Sequence, residues 1–181
     1  MGNQNKVKQM IYIALFSALA VVGSTFISFP LGVARAYPIQ HAINVIAVVY
    51  FGTGPAVLIA FLAALLRVVL GTGSLLAFPG GMIGALLAGI LYKLFNRYRY
   101  AFLGEVIGTG GIASLFAVPY AKILMGTSFG AFFFVPGFFF SSLIGATLAL
   151  LVIQQLEKTR AAASLKTLFA SPMHRKDRLT E

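Results

Sequence analysis

The chain has 181 residues, of which 59% are hydrophobic and none is cysteine, and it carries a formal net charge of +10. Without cysteine, disulfides and thiolate metal sites are excluded, and the length leaves room for one bundle but not for a second folded domain. Across residues 10–155 the only charged side chains are Arg35, Arg67, Lys93, Arg97, Arg99, Glu105 and Lys122. A soluble surface needs far more. A bilayer accepts such a stretch, because its ~30 Å hydrocarbon core takes ~20 apolar residues per helix and makes charge costly. The basic residues cluster at the ends of apolar runs and in the tail, a pattern of membrane topology and not of nucleic-acid binding.

Lys6 and Lys8 precede an apolar run that continues to about Ile27 without a convincing small-residue cleavage site. It reads as a retained first helix and not as a signal peptide. Six membrane spans are predicted, at about 9–28, 38–51, 55–70, 79–95, 100–125 and 132–156. Three begin at or near a proline (Pro38, Pro55, Pro79), which suits a first helical turn whose N–H is unpaired anyway. The second and third are short for a full crossing, which fits helices facing a polar cavity. Gly52-Thr53-Gly54 and Gly71-Thr72-Gly73 read as tight turns, and Gly108-Thr109-Gly110 as a site of close helix packing. The expected fold is therefore an all-α membrane protein, a six-transmembrane-helix bundle over 1–159, followed by a cytoplasmic, partly disordered basic tail over 160–181.

With the N-terminus inside, the inner loops and ends hold 11 of the 14 Lys and Arg residues, leaving Arg35, Arg67 and Lys122 in the outer half. That asymmetry predicts a multi-pass protein of the cell membrane with both termini cytoplasmic.

The polar residues that need a reason gather toward the outer side. Gln40, His41 and Asn44 fall within about one turn at the start of the second span, where Gln40 and Asn44 share a face. They suit hydrogen bonding to a small polar or heteroaromatic molecule; the competing reading is helix capping and helix–helix bonding. Arg67 and Lys122 are either site residues or snorkelling side chains. Phe78, Tyr120, Phe133 and their aromatic neighbours supply stacking faces or an interfacial belt. Ser141, with Ser142, sits one turn deeper, as a pocket floor would. Glu105 is placed near the inner end of the fifth span, close to Arg97 and Arg99, where an ion pair or packing role is expected ahead of proton coupling. Steps of small residues, Ala14/Ala18, Gly84/Ala88, Gly104/Gly108 and Gly145/Ala149, allow close approach of helices. There is no phosphate-binding G-x-x-x-x-G-K-[ST] loop, no metal-ligand cluster and no catalytic triad, so no metal, no cofactor and no enzymatic activity are expected.

These features meet a family. The six short spans, the A-x-x-x-A step of Ala14 and Ala18, and the outward polar pocket resemble the substrate-binding S components of energy-coupling factor (ECF) vitamin transporters. More narrowly, Tyr37-Pro38-Ile39-Gln40-His41-Ala42-Ile43-Asn44, Ala63-Ala64-Leu65-Leu66-Arg67, Gly71-Thr72-Gly73-Ser74-Leu75-Leu76-Ala77-Phe78-Pro79-Gly80 and Gly104-Glu105-Val106-Ile107-Gly108-Thr109-Gly110 resemble the ThiW family. The resemblance spans about residues 8–156. It implies uptake of the thiamine precursor hydroxyethylthiazole, with energy from two ATPases and a transmembrane coupling subunit, toward which Ala14 and Ala18 would face. The competing classes are a self-sufficient secondary carrier or channel, for which Glu105 is the only intramembrane acid available, and a structural membrane protein.

Overall fold

The computed structural model describes residues 2–31, 34–126, 130 and 132–169. Its elements are, in order, α1 (Gly2–Phe26), β1 (Phe29–Leu31), β2 (Ala34–Ala36), α2 (Pro38–Phe51), α3 (Thr53–Val69), α4 (Ala77–Phe95), α5 (Tyr98–Glu105), a π-helical segment (Val106–Ala113), α6 (Ser114–Met125), α7 (Val135–Leu156) and α8 (Arg160–Phe169). Four helical stretches are long and apolar enough to cross a bilayer: α1, α4, the continuous α5–π–α6 rod and α7. The chain is an all-α, multi-pass membrane protein, with one small exception to its helicity. The loop predicted between the first two spans contains a two-stranded antiparallel hairpin, with Phe29 opposite Ala36 and Pro30 opposite Arg35.

α2 and α3, of 14 and 17 residues, are shorter than a straight crossing requires. Burial explains α2. Every residue in it except Ile39 is buried, because α1, α3, α4, α5, α7 and α8 all pack around it. It is the core of the bundle, and its continuous apolar run Val45–Phe51 matches that position. α1 lies at the other extreme: Met10, Ile11, Leu15, Leu19, Val22 and Phe26 are all exposed, a surface that only lipid or a partner covers without cost.

The small-residue steps sort into two kinds. A Cβ on Gly104 would lie 2.6 Å from the Ala88 nitrogen, and one on Gly108 would lie 3.0 Å from the Gly84 Cα. The Gly84/Ala88 step of α4 thus meets the Gly104/Gly108 step of the α5–π rod, backbone against backbone. Gly145 admits α2 to α7 in the same way, with His41 Cβ 2.8 Å from where its own Cβ would be. Ala14 and Ala18, by contrast, are both exposed.

The turns predicted at Gly52 and Gly71 are present, with φ of +89° and +69°, a region open to glycine at little cost. At the opposite end of the bundle from the hairpin, α8 folds back. Its apolar side, Ala162, Leu165 and Phe169, packs inward, and the Phe169 ring stacks on Phe51 with centroids 4.3 Å apart. Gln9 Nε2 donates to the Leu168 carbonyl (2.7 Å), and Lys166 Nζ and Tyr50 Oη both donate to Glu157 Oε1 (2.7 and 3.2 Å). Residues 160–169 of the expected tail are therefore an amphipathic helix docked on the bundle, while the rest of that tail lies outside the described residues.

Candidate functional site

The chain enters α2 through Tyr37, whose backbone N–H donates to Ser141 Oγ of α7 at 2.8 Å. Pro38 then occupies the first helical turn, where its missing N–H costs nothing. This pinning of α2 on α7 fixes the direction of the next turn, and with it Gln40 and His41. Beside them, at the hairpin end of the bundle, lies a cavity of about 610 Å³. Ligand sites of small molecules fall in a range of about 300–1,000 Å³.

One wall is cationic and aromatic. Arg67, at the last turn of α3, is 1% exposed. Its Nη1 donates to Gln40 Oε1 and its Nη2 to the Thr72 carbonyl at 3.4 Å, while its guanidinium carbon sits 3.7 Å from the centre of the Tyr37 ring. The contact is a cation–π stack in a desolvated setting, where such pairs are strongest. The turn at Gly71 makes it possible: the following Gly73 comes so near that a Cβ there would lie 2.9 Å from Arg67 Cβ. Arg67 has no acidic partner among the described residues. A side chain anchored in this way does not snorkel to the headgroups.

The floor holds the chain's one intramembrane acid. Glu105 is fully buried, and its Oε1 lies 2.7 Å from His41 Nδ1 and 3.1 Å from both Asn44 Nδ2 and Thr109 Oγ1. Its Oε2 has no hydrogen-bond partner among the described residues. This corrects the sequence reading of Glu105, which set it near Arg97 and Arg99. The α5 rod brings it instead against α2 and α4, because Gly84 of α4 leaves room: a Cβ there would meet Glu105 Oε1 at 2.8 Å. Directly after Glu105 the helix widens into π geometry through Gly108, Gly110 and Gly111, residues with little stake in the α-helical ladder. Ser114 Oγ reaches back to the Gly110 and Gly111 carbonyls, at 2.6 and 2.8 Å, and Thr109 Oγ1 to the Gly80 carbonyl at 3.0 Å.

Of the residues singled out from the sequence, Gln40, His41, Arg67, Phe133 and Ser141 line this cavity. Asn44, Phe78 and Tyr120 do not. Asn44 lies one turn below, bonding the Gly81 carbonyl (3.1 Å) and Glu105, and acts on the cavity only through them. Phe78 turns toward α3 and packs on Phe61, with ring centroids 5.6 Å apart. Tyr120 lies on α6, away from the lining. Sequence reasoning missed Ser24, Thr25, Tyr37 and Ser74 in the lining. Ser24 is fully buried and its hydroxyl has no partner among the described residues; a serine in an apolar helix was the available signal. Among those residues no cluster of metal-binding side chains occurs.

Fold and site together define a class: a polytopic membrane protein with a solute-sized cavity at one end, walled by rings and furnished with a few fixed polar groups. The particular family follows from comparison. The family model described as "Thiamine-precursor transporter protein (ThiW)" matches residues 10–159, and the chain belongs to that family. Comparison with curated proteins and with solved structures gives no match.

Proposed function

We propose that the chain is the substrate-binding membrane subunit of an ECF-type importer that captures hydroxyethylthiazole, or a closely related thiamine-pathway compound, from outside the cell. The observation that carries this reading is the cavity itself. Tyr37 and Phe133 offer faces to a flat ring, Arg67 offers a cation to an electronegative ring atom, and Gln40 and His41 offer hydrogen bonds to a side-chain hydroxyl. Apolar burial supplies affinity for such a ligand and the few polar groups supply orientation. The chain crosses the cell membrane six times in this reading, both termini are cytoplasmic, and the cavity opens outward. It is not an enzyme; two ATPase subunits and a transmembrane coupling subunit supply the energy. The exposed Ala14 and Ala18 on the lipid side of α1 support a docking surface there, since the other small-residue steps are used inside the bundle.

A second reading draws support from Glu105. A buried carboxyl bonded to a cavity histidine is what a proton-coupled secondary carrier requires. Vesicles containing the chain alone decide between the two. The importer reading predicts that labelled thiazole binds but does not accumulate under an imposed pH gradient. Accumulation without any ATPase would establish the carrier.

A further inference from the structure

His41 spends one ring nitrogen on the protein and leaves the other for the cavity. Nδ1 contacts Glu105 Oε1. Nε2 has no partner among the described residues, yet it is not sealed off, on a side chain that lines the cavity. Which nitrogen carries hydrogen decides what this wall can recognise, because a neutral imidazole has one N–H and one lone pair.

The neighbours of Glu105 settle the question. The Gly81 carbonyl can only accept, so Asn44 turns its NH₂ toward it, and the second hydrogen of that group points at Glu105 Oε1. Oε1 is thereby an acceptor. Across its contact with Nδ1 the hydrogen belongs on nitrogen, because a carboxylate oxygen can only accept and the bond made by one ring nitrogen fixes the tautomer. Charge balance then sets the other nitrogen. Arg67 is a permanent cation in the same cavity wall, and the Glu105 carboxylate offsets it when His41 is neutral. Arg35, also at the cavity, is exposed and left to solvent. A second hydrogen on His41 would leave an uncompensated positive charge in a low-dielectric site.

We propose that Glu105 is a positioning residue: it holds His41 with hydrogen on Nδ1, so that the ring shows the cavity a bare Nε2 that selects ligands able to donate a hydrogen bond. The proposal rests on the reading of this cavity as the thiazole site and adds to it a polarity. The ligand's hydroxyl must give its hydrogen, and an ether in its place is rejected.

The test has two arms. In a His174→Gln variant His41 is the only histidine, and nitrogen-15 spectra of the labelled protein at neutral pH report its protonation directly. Hydrogen on Nδ1 alone is expected; hydrogen on Nε2, alone or with Nδ1, overturns the proposal. In the second arm, hydroxyethylthiazole is compared with its O-methyl ether. The native chain is expected to prefer the alcohol by about 10- to 100-fold, the effect of one buried hydrogen bond. Glu105→Ala, which frees the ring to turn over, brings the ratio near one, and Glu105→Gln, which keeps an acceptor oxygen, restores a preference of about 10-fold or more. A ratio near one in the native chain, or an unchanged ratio in Glu105→Ala, overturns the positioning role. Should neither compound bind, the thiazole reading falls and the nitrogen spectrum alone decides the role of Glu105.

Discussion

His41 and Asn44 stand three residues apart in one turn of α2 but do different work. His41 faces the cavity, so His41→Ala is expected to weaken thiazole binding by about 10- to 100-fold, measured as a dissociation constant, and also to lower stability, since it takes from buried Glu105 its nearest hydrogen-bond partner. Asn44 is 1% exposed and holds Gly81 and Glu105 together. Asn44→Ala removes the two buried hydrogen bonds that tie α2 to Gly81 of α4 and to Glu105 and is expected to lower stability by about 1–3 kcal/mol. If melting in detergent shows no loss, the network beneath the cavity is not structural. The sequence made Gln40 and His41 legible because two polar groups side by side in an apolar helix have few other uses. Glu105 was misplaced because nearness along the chain to Arg97 and Arg99 was taken for nearness in space. The corrective signal was present: Thr109 lies four residues on, hence on the same helix face, within a Gly-Thr-Gly run that invites another helix close.

At the scale of elements, hydrophobic runs and glycine punctuation located α2 at both ends and the helices from α3 to α7 to within about three residues, while α1 begins ahead of its predicted span and α8 fell in the expected tail. What they could not convey was the role of each helix. α2 and α1 are similarly apolar, yet one is the core and the other the rim, a difference set by packing partners far along the chain. The hairpin and the π segment were equally hidden, since three-residue strands and a widened helical turn leave no periodic trace. The crossing of α4 with the α5–π rod yields a direct test. Gly84→Val places side-chain atoms where Glu105 and Thr109 already sit and is expected to cost about 1–3 kcal/mol or to abolish folding. Gly111→Ala, at a π-segment position whose added Cβ meets nothing within 4 Å, is expected to be neutral or stabilising by up to about 1 kcal/mol. Equal effects in thermal melts would mean that the close crossing does not limit stability.

For the whole molecule, the exposed face of α1 and the cavity at the hairpin end are separate surfaces, and the proposed function assigns them separate tasks. Ala14→Trp and Ala18→Trp are expected to abolish uptake in cells while leaving thiazole binding by the purified chain within about twofold, because bulk at an exposed step blocks only a partner's approach. Normal uptake in both variants would place the coupling surface elsewhere. The central claim, that this cavity holds a thiazole, is tested most directly by titrating the purified chain alone, by calorimetry, with hydroxyethylthiazole, with the pyrimidine precursor of thiamine and with thiamine. The account predicts saturable binding of the thiazole at one site per chain, with the other two compounds at least about tenfold weaker. Tightest binding of the pyrimidine or of thiamine, or no binding of the thiazole, would contradict it.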